Sequence, residues 1–163
     1  MLPNVFFYCF KKIDIGITAE GNSITGVFFG RDAPAGFTSA ETPLIKKAAL
    51  QIEEYFAGKR KKFSLPLKMQ GTEFQMAVWD ALKSIPYGET RSYKEIAVQI
   101  GRPKAVRAVG MANHRNPISI IVPCHRVIGH NGSLTGYGGG LPAKKLLLEL
   151  EGSSTKAAAS FSG

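Results

Sequence analysis

The sequence predicts an α+β chain, a small N-terminal antiparallel-sheet domain followed by a mostly helical C-terminal domain. Three observations carry this. Short β-branched and aromatic runs crowd into the chain before residue 30. Past residue 70 the apolar spacing changes to the 3.6-residue period of helices. Two capping boxes, Thr72-Glu73-Phe74-Gln75 and Ser92-Tyr93-Lys94-Glu95, mark helix starts in that second part.

Taken in order, residues 5–10, 13–18 and 24–29 read as strands separated by polar or glycine-containing breaks such as "AEGNS". Within the first of these, VFFYCF reads as a buried strand. Thr42 as N-cap, Pro43 at the first helical position, and Leu44, Ile45, Ala48, Ala49, Ile52, Tyr55 and Phe56 at helical spacing predict an amphipathic helix that Gly58 ends. FSLPLK (63–68) reads as extended, and its Pro66 points to an edge or a linker. Residues 1–70 therefore form a scaffold domain without a chemical motif. After the first capping box, Phe74, Ala77, Val78, Ala81, Leu82 and Ile85 give one helical stripe, and Pro86-Tyr87-Gly88 a turn. The second box opens a short helix through Ile96, Ala97 and Ile100. Gly101 stops it, and Pro103 is placed to begin the next, with the stripe Ala105, Val106, Ala108 and Val109. Two short helices joined by Gly-Arg-Pro are a helix-turn-helix candidate. Then come ISIIV as an extended run, PCHRVI, the glycine-rich "GHNGSLTGYGGG", and a last helix begun by Pro142 and closed by Gly152. Domain boundaries are expected at 71–152, with 153–163 a disordered tail.

Composition narrows the function. At 163 residues and 44% hydrophobic content the chain can bury a core. No run is long enough to cross a bilayer. Apolar residues precede the first basic ones, the reverse of a secretory signal, which points to a cytoplasmic protein, or a nuclear one in a eukaryote. Two distant cysteines, Cys9 and Cys124, make neither a disulfide framework nor a zinc site, since no CxxC or HxxxH spacing occurs. The net charge is +9. It is concentrated: seven Lys/Arg lie between Arg91 and Arg126 (Arg91, Lys94, Arg102, Lys104, Arg107, Arg115, Arg126) against one acid, Glu95. That is the footprint of a polyanion binder, and on a helix-turn-helix it points to nucleic acid. Lys59-Arg60-Lys61-Lys62 reads as a solvated face after Gly58.

The chemistry concentrates in "IIVPCHRVI" (120–128). A thiol between Pro and His-Arg within apolar sequence is either inert packing or a reactive cysteine whose pKa the cations lower. A basic helix-turn-helix on one side and a glycine-rich loop on the other favour a reactive thiol working on DNA bases. Two other classes compete. A transcription regulator would use the basic helices and leave Cys124 and His125 idle; a thiol hydrolase or peroxidase would use Cys124 and leave Arg107 idle.

"NPISIIVPCHRVIG", with "RAVG" upstream and "GYGGGLPAKKLLLELEG" downstream, strongly resembles the O6-alkylguanine-DNA alkyltransferases, essentially without gaps from Gly71 to Gly152. The resemblance implies a winged helix-turn-helix-like DNA-binding unit. It implies repair by direct, irreversible transfer of an alkyl group from guanine O6, and also thymine O4, to Cys124 after base flipping. His125 would relay the thiol proton through a water and Glu151 would hold His125. Asn116 would brace the turn carrying the active-site loop. Arg107 would fill the stack left by the flipped base. Tyr93 would crowd the target phosphate and serve the leaving guanine. The carbonyls of Cys124 and Val127 would accept from the guanine amino group, Gly138 beside Tyr137 would face O6, and Lys144 would assist. Ser92, Arg102, Lys104 and Ala105 would contact DNA. The implied partner is duplex DNA carrying O6-alkylguanine, entered through the minor groove by a monomer, with cooperativity along DNA left open. No cofactor and no metal are implied, and no membrane.

The sequence also departs from the family's range. Some relatives bind a structural zinc through Cys and His in the N-terminal domain, where this chain has Cys9 and no histidine. A related branch with Trp in place of the cysteine only binds lesions, and Cys124 argues against that reading. Gly138 stands where some relatives carry a side chain, which would widen the pocket for larger alkyl groups.

Overall fold

The computed structural model describes residues 3–129 and 140–152. The chain divides into two compact units between Met69 and Gln70.

In the first unit, β1 (Asn4–Phe10), β2 (Ile13–Glu20) and β3 (Ser23–Phe29) form an antiparallel meander, and β4 (Thr38–Ser39) adds in parallel to β1, giving the order β3-β2-β1-β4. The first hairpin pairs Phe10 with Ile13, so Lys11 and Lys12 make a two-residue turn with φ of +49° and +66°. Such primed turns match strand twist but normally recruit Gly or Asn. Central strand β2 is buried from Ile15 to Ala19, on both faces of its pleat. Gly16 is required there: a Cβ would lie 2.3 Å from the Phe28 ring. In β1 only Val5 is buried and Cys9 is exposed, so VFFYCF is a strand but not a buried one. Its rings pack on one another instead, Phe6 edge-on to Tyr8 at 5.4 Å and Tyr8 stacked on Phe10 at 5.8 Å.

Helix α1 (Pro43–Phe56) starts where expected, with the Thr42 hydroxyl accepting from Ile45 N–H, and buries Ile45, Ala48, Ala49, Ile52, Tyr55 and Phe56. Gly58 ends it at φ +75°, with Gly58 N–H on Tyr55 O and Lys59 N–H on Glu54 O, the paired bonds of a Schellman cap. Pro66 lies beside β3, where Ile24 N–H donates to Pro66 O (2.8 Å) and Lys68 N–H to Ile24 O (2.9 Å). Proline suits this edge because only its carbonyl is needed.

The second unit opens with α2 (Glu73–Lys83), both halves of the Thr72–Gln75 capping box being formed. Its buried side is Val78, Trp79, Ala81 and Leu82, whereas Ala77 is exposed. The indole decides the face, because Trp79 Nε1 donates to the buried Ala112 carbonyl at 2.9 Å. Helix α3 (Tyr93–Gln99) is capped by the Ser92–Glu95 box and stopped by Gly101 at φ +76°. Helix α4 (Val106–His114) begins three residues later than Pro103 suggests. Pro103 instead occupies a turn closed by Ala105 N–H on Arg102 O, a position for which its fixed φ is suited. The buried stripe of α4 is accordingly Val109, Ala112 and Asn113, with Val106 and Ala108 exposed. Helices α3 and α4 pack together as the helix-turn-helix, and α2 packs on both.

ISIIV is not a strand. It runs through successive turns in which Ile118, Ile120 and Val122 are buried and Ile120 takes φ +72°. The 3-10 turn Cys124–Arg126 follows, then β6 (Val127–Ile128), which pairs in parallel with β5 (Arg91–Ser92). Helix α5 (Leu141–Leu150) completes the unit, with Gly152 beyond it at φ +71°. Tyr137, Gly138 and the 153–163 tail lie outside the described residues.

Candidate active site

The segment leading to Cys124 departs from a strand because one side chain replaces the sheet partner. Asn116, buried at the end of α4, accepts from Ile118 N–H (3.0 Å) and donates to Val122 O (2.8 Å), clamping both ends of the turn. The clamp supports Ile120 in a left-handed conformation that a β-branched residue rarely adopts. On the far side, the β5–β6 pairing sets Arg91 against Val127 and Ser92 against Ile128. Tyr93 therefore starts α3 directly beside the Cys124 turn.

Cys124 is 4% exposed and His125 fully buried. His125 Nε2 lies 2.7 Å from Glu151 Oε2. The same carboxylate receives Arg126 through two bonds, Nε to Oε1 at 2.8 Å and Nη2 to Oε2 at 2.9 Å. Arg126 Nη1 donates to the Ile85 carbonyl at 2.7 Å, and its guanidinium sits 5.7 Å from the Tyr87 ring centre. The Tyr87-Gly88 turn closes over the carboxylate, Gly88 N–H reaching Oε1 at 3.4 Å. Arg126, counted from sequence among cations that would meet DNA, is thus an internal residue. A guanidinium flanked by apolar residues must be paired if it is buried, and that was the available signal.

Burial would push the Glu151 carboxyl up, but its contacts with His125 and Arg126 outweigh it and hold the group well below the usual carboxylate range. Arg126 is the durable cause, since His125 is itself held neutral: burial, joined by the charges of Arg126 and Lys144, lowers its pKa against the opposing pull of Glu151. With Glu151 ionised, the Nε2 proton points at the carboxylate, leaving Nδ1 as the acceptor. Nδ1 is buried and has no hydrogen-bond partner among the described residues.

Lys144, on α5, is also wholly buried. Its Nζ donates to the Val127 carbonyl at 2.6 Å and lies 5.9 Å from the Tyr93 ring centre. Burial lowers its pKa to about 8, while the charge interaction with Cys124 works in the opposite direction. A cation next to a thiol favours the thiolate. The Cys124 carbonyl accepts from Val127 N–H and, at 3.4 Å, from Asn113 Nδ2. A cavity of about 360 Å³ is bordered by Tyr93, Lys94, Val106 and Gly129.

The remaining predicted residues lie along the helix-turn-helix. Arg102, Lys104 and Arg107 are exposed, as are Lys94 and Arg115, while Ala105 is the half-buried N-cap of α4 and Ser92 the N-cap of α3. Arg91 is tied to Glu89 at 3.1 Å. Cys124, His125, Glu151, Asn116, Tyr93, Val127 and Lys144 thus converge, while these cations remain exposed on the same unit. Sequence reasoning missed Arg126 and Asn113.

Residues 73–153 match the family description "6-O-methylguanine DNA methyltransferase, DNA binding domain", and residues 10–69 match "6-O-methylguanine DNA methyltransferase, ribonuclease-like domain". A methylated-DNA--protein-cysteine methyltransferase of Methanosarcina acetivorans is 66% identical over 108 residues, covering 66% of this chain and 69% of that protein. The constitutive one of Bacillus subtilis is 59% identical over 117 residues, 71% of each. Among solved structures, Mycobacterium tuberculosis OGT in complex with DNA superposes with a TM-score of 0.86 at 44% identity, covering 98% of this chain and 99% of that one.

Proposed function

The chain belongs to the 6-O-methylguanine DNA methyltransferase family, and from that premise we propose that its DNA repair runs through Cys124, which takes the alkyl group from guanine O6 directly, once and irreversibly. The observation that carries the assignment is the buried Cys124-His125 turn locked to Glu151 at 2.7 Å. Attack on an sp³ carbon needs a soft, strong nucleophile, and a thiolate is the best side chain available. His125 Nδ1 takes the thiol proton through a water. Glu151, kept ionised by Arg126, holds the resulting imidazolium, in the nucleophile–base–orienter arrangement. The S–C bond forms as the C–O6 bond breaks, and the electron pair leaves on guanine O6. Tyr93 serves that departing base as a hydrogen-bond or proton donor. Lys144 favours the thiolate beforehand. The Val127 carbonyl, carrying one bond from Lys144, keeps a lone pair for the guanine amino group. The Cys124 carbonyl is less suited to that role because it already has two donors.

A thiol this deep cannot reach a base inside a duplex, so the nucleotide is flipped, at a cost of about a few kcal/mol. Arg107, exposed at the start of α4, fills the vacated stack. Arg102, Lys104, Ser92 and Ala105 meet the backbone, with α4 entering the minor groove of duplex DNA that carries O6-alkylguanine. Residues 71–152 hold both activities and residues 1–70 serve as scaffold. The protein works as a monomer in the cytoplasm, and among the described residues no helix is long and apolar enough to span a membrane.

The experiment is transfer from a duplex labelled on the O6-methyl group of guanine. Wild type takes up one label per molecule, and Cys124→Ser takes up none while still binding the lesion, since the hydroxyl is similar in size but far less nucleophilic. Label retained by Cys124→Ser, or found on Cys9, overturns the assignment.

A further inference from the structure

Two buried polar atoms have no hydrogen-bond partner among the described residues, His125 Nδ1 and Asn113 Oδ1. Both belong to side chains that border Cys124. Asn113 is 2% exposed on the last turn of α4, and its Nδ2 faces the Cys124 carbonyl. That contact fixes the amide's orientation, because the carbonyl can only accept and would repel Oδ1. Oδ1 is therefore the free acceptor of a side chain that touches the Cys124 backbone. Nδ1 is an acceptor as well, since Glu151 binds the Nε2 proton. Leaving two acceptors buried and unsatisfied is costly, and a water with two protons satisfies both.

We infer that Asn113 is a positioning residue for the proton relay: its Oδ1 accepts one proton of the relay water while His125 Nδ1 accepts the other, so that the water's lone pair is turned to the Cys124 thiol. This rests on the relay proposed above and adds the third fixed point of its water. In the transfer the thiol proton passes to the water as the water passes one of its own to Nδ1. The products are a thiolate, a neutral water still bound to Asn113, and an imidazolium held by Glu151. Without Oδ1 the water keeps a free rotor, and its lone pair is aimed at the thiol only part of the time.

The test is the pH dependence of Cys124 alkylation by free O6-benzylguanine, which needs no DNA and no flipping, measured for wild type, Asn113→Leu and His125→Phe, with melting temperatures alongside. The other titratable and charged groups packed about this turn are His125 and Arg126 on the turn itself, Lys144 on α5, Glu151 at its C-cap, Tyr93 on α3 and Tyr87 in the turn before it. None is altered by Asn113→Leu. The expected result is a profile displaced upward by about one pH unit, hence roughly tenfold slower reaction on its acid limb, with His125→Phe displaced at least as far. A profile for Asn113→Leu that overlays wild type, while His125→Phe is displaced, overturns the role of Asn113 and leaves the relay standing. An unmoved profile for His125→Phe removes the relay and this inference with it. Should the leucine variant not fold, Asn113→Ala, which also removes Oδ1, is measured under the same criteria.

Discussion

Replacing Glu151 by Gln changes one atom in size and almost everything in charge. The carboxylate is buried and accepts from His125 Nε2, Arg126 Nε and Arg126 Nη2, all at 2.7–2.9 Å. A glutamine has one acceptor oxygen in place of two, and its NH₂ would meet a donor at the other position. At least one of the three bonds becomes a donor–donor clash, and the Arg126 charge loses its counterion. Breaking a buried pair in this way costs about 3–5 kcal/mol, which for a chain of this size lowers the melting temperature by roughly 6–20 °C. The pH dependence follows with a definite sign. The folded-state pKa of Glu151 lies below 4.5, so the unfolded chain binds the proton first. That contribution is fully present above pH 4.5 and is lost as pH falls below it. The His125 pKa is also depressed, from 6.5, so its contribution is likewise lost on acidification, starting near pH 6.5. Thermal melts from pH 4 to 8 should show wild type falling steeply toward acid and Glu151→Gln starting lower and falling less. Adding Arg126→Met should recover part of the loss by removing the stranded charge. A drop smaller than about 1 kcal/mol, the range of an exposed pair, or a double variant no better than the single, refutes the reasoning.

Arg107→Ala should slow repair of duplex DNA far more than reaction with free O6-benzylguanine, because a free base has no stack to leave; equal losses would place Arg107 in the fold or pocket. DNA affinity should fall steeply with salt, and Lys104→Glu should flatten the log–log slope by about one or more; binding isotherms across salt that give an unchanged slope would turn that surface away from DNA. Methylation of Cys124 adds a carbon at a site that is 4% exposed, and overpacking costs ~1–3 kcal/mol. The methylated protein should therefore melt below the free form, and equal or higher midpoints would show slack around the sulfur.

The elements that were legible in the sequence are those whose signal is local. Thr42 with Pro43, the boxes at Thr72 and Ser92, and Gly58 and Gly101 each act within one turn, and the structure shows each in place. What sequence order hid was partnership across the fold. ISIIV carries every local mark of a strand, yet Asn116 bends it, and no propensity reports a side chain that clamps two backbone groups. The buried face of α2 differs from the sequence stripe at Ala77 because Trp79 is drawn to a carbonyl on α4. Arg126 carries the local mark of surface charge, yet Glu151, 25 residues on, neutralises it in the interior. The Cys-His pair and its family resemblance lie in contiguous residues, whereas the unpaired Oδ1 of Asn113 depends on packing that no local pattern encodes.

Glu151 is the C-cap of α5, the last described element, and its carboxylate completes a site begun at Ile85 and Cys124. Synthesis runs from the N-terminus, so the helix-turn-helix and the cysteine leave the ribosome well before their counterion does. Until residue 151 is free to dock, Arg126 has no anion and the imidazole no fixed tautomer. A nascent chain could touch DNA but not yet react with it. For a protein that can act only once, the order of synthesis itself delays competence until residue 151 has emerged. By the same logic, truncation ahead of residue 151 should disarm the thiol while sparing the exposed cations of the helix-turn-helix.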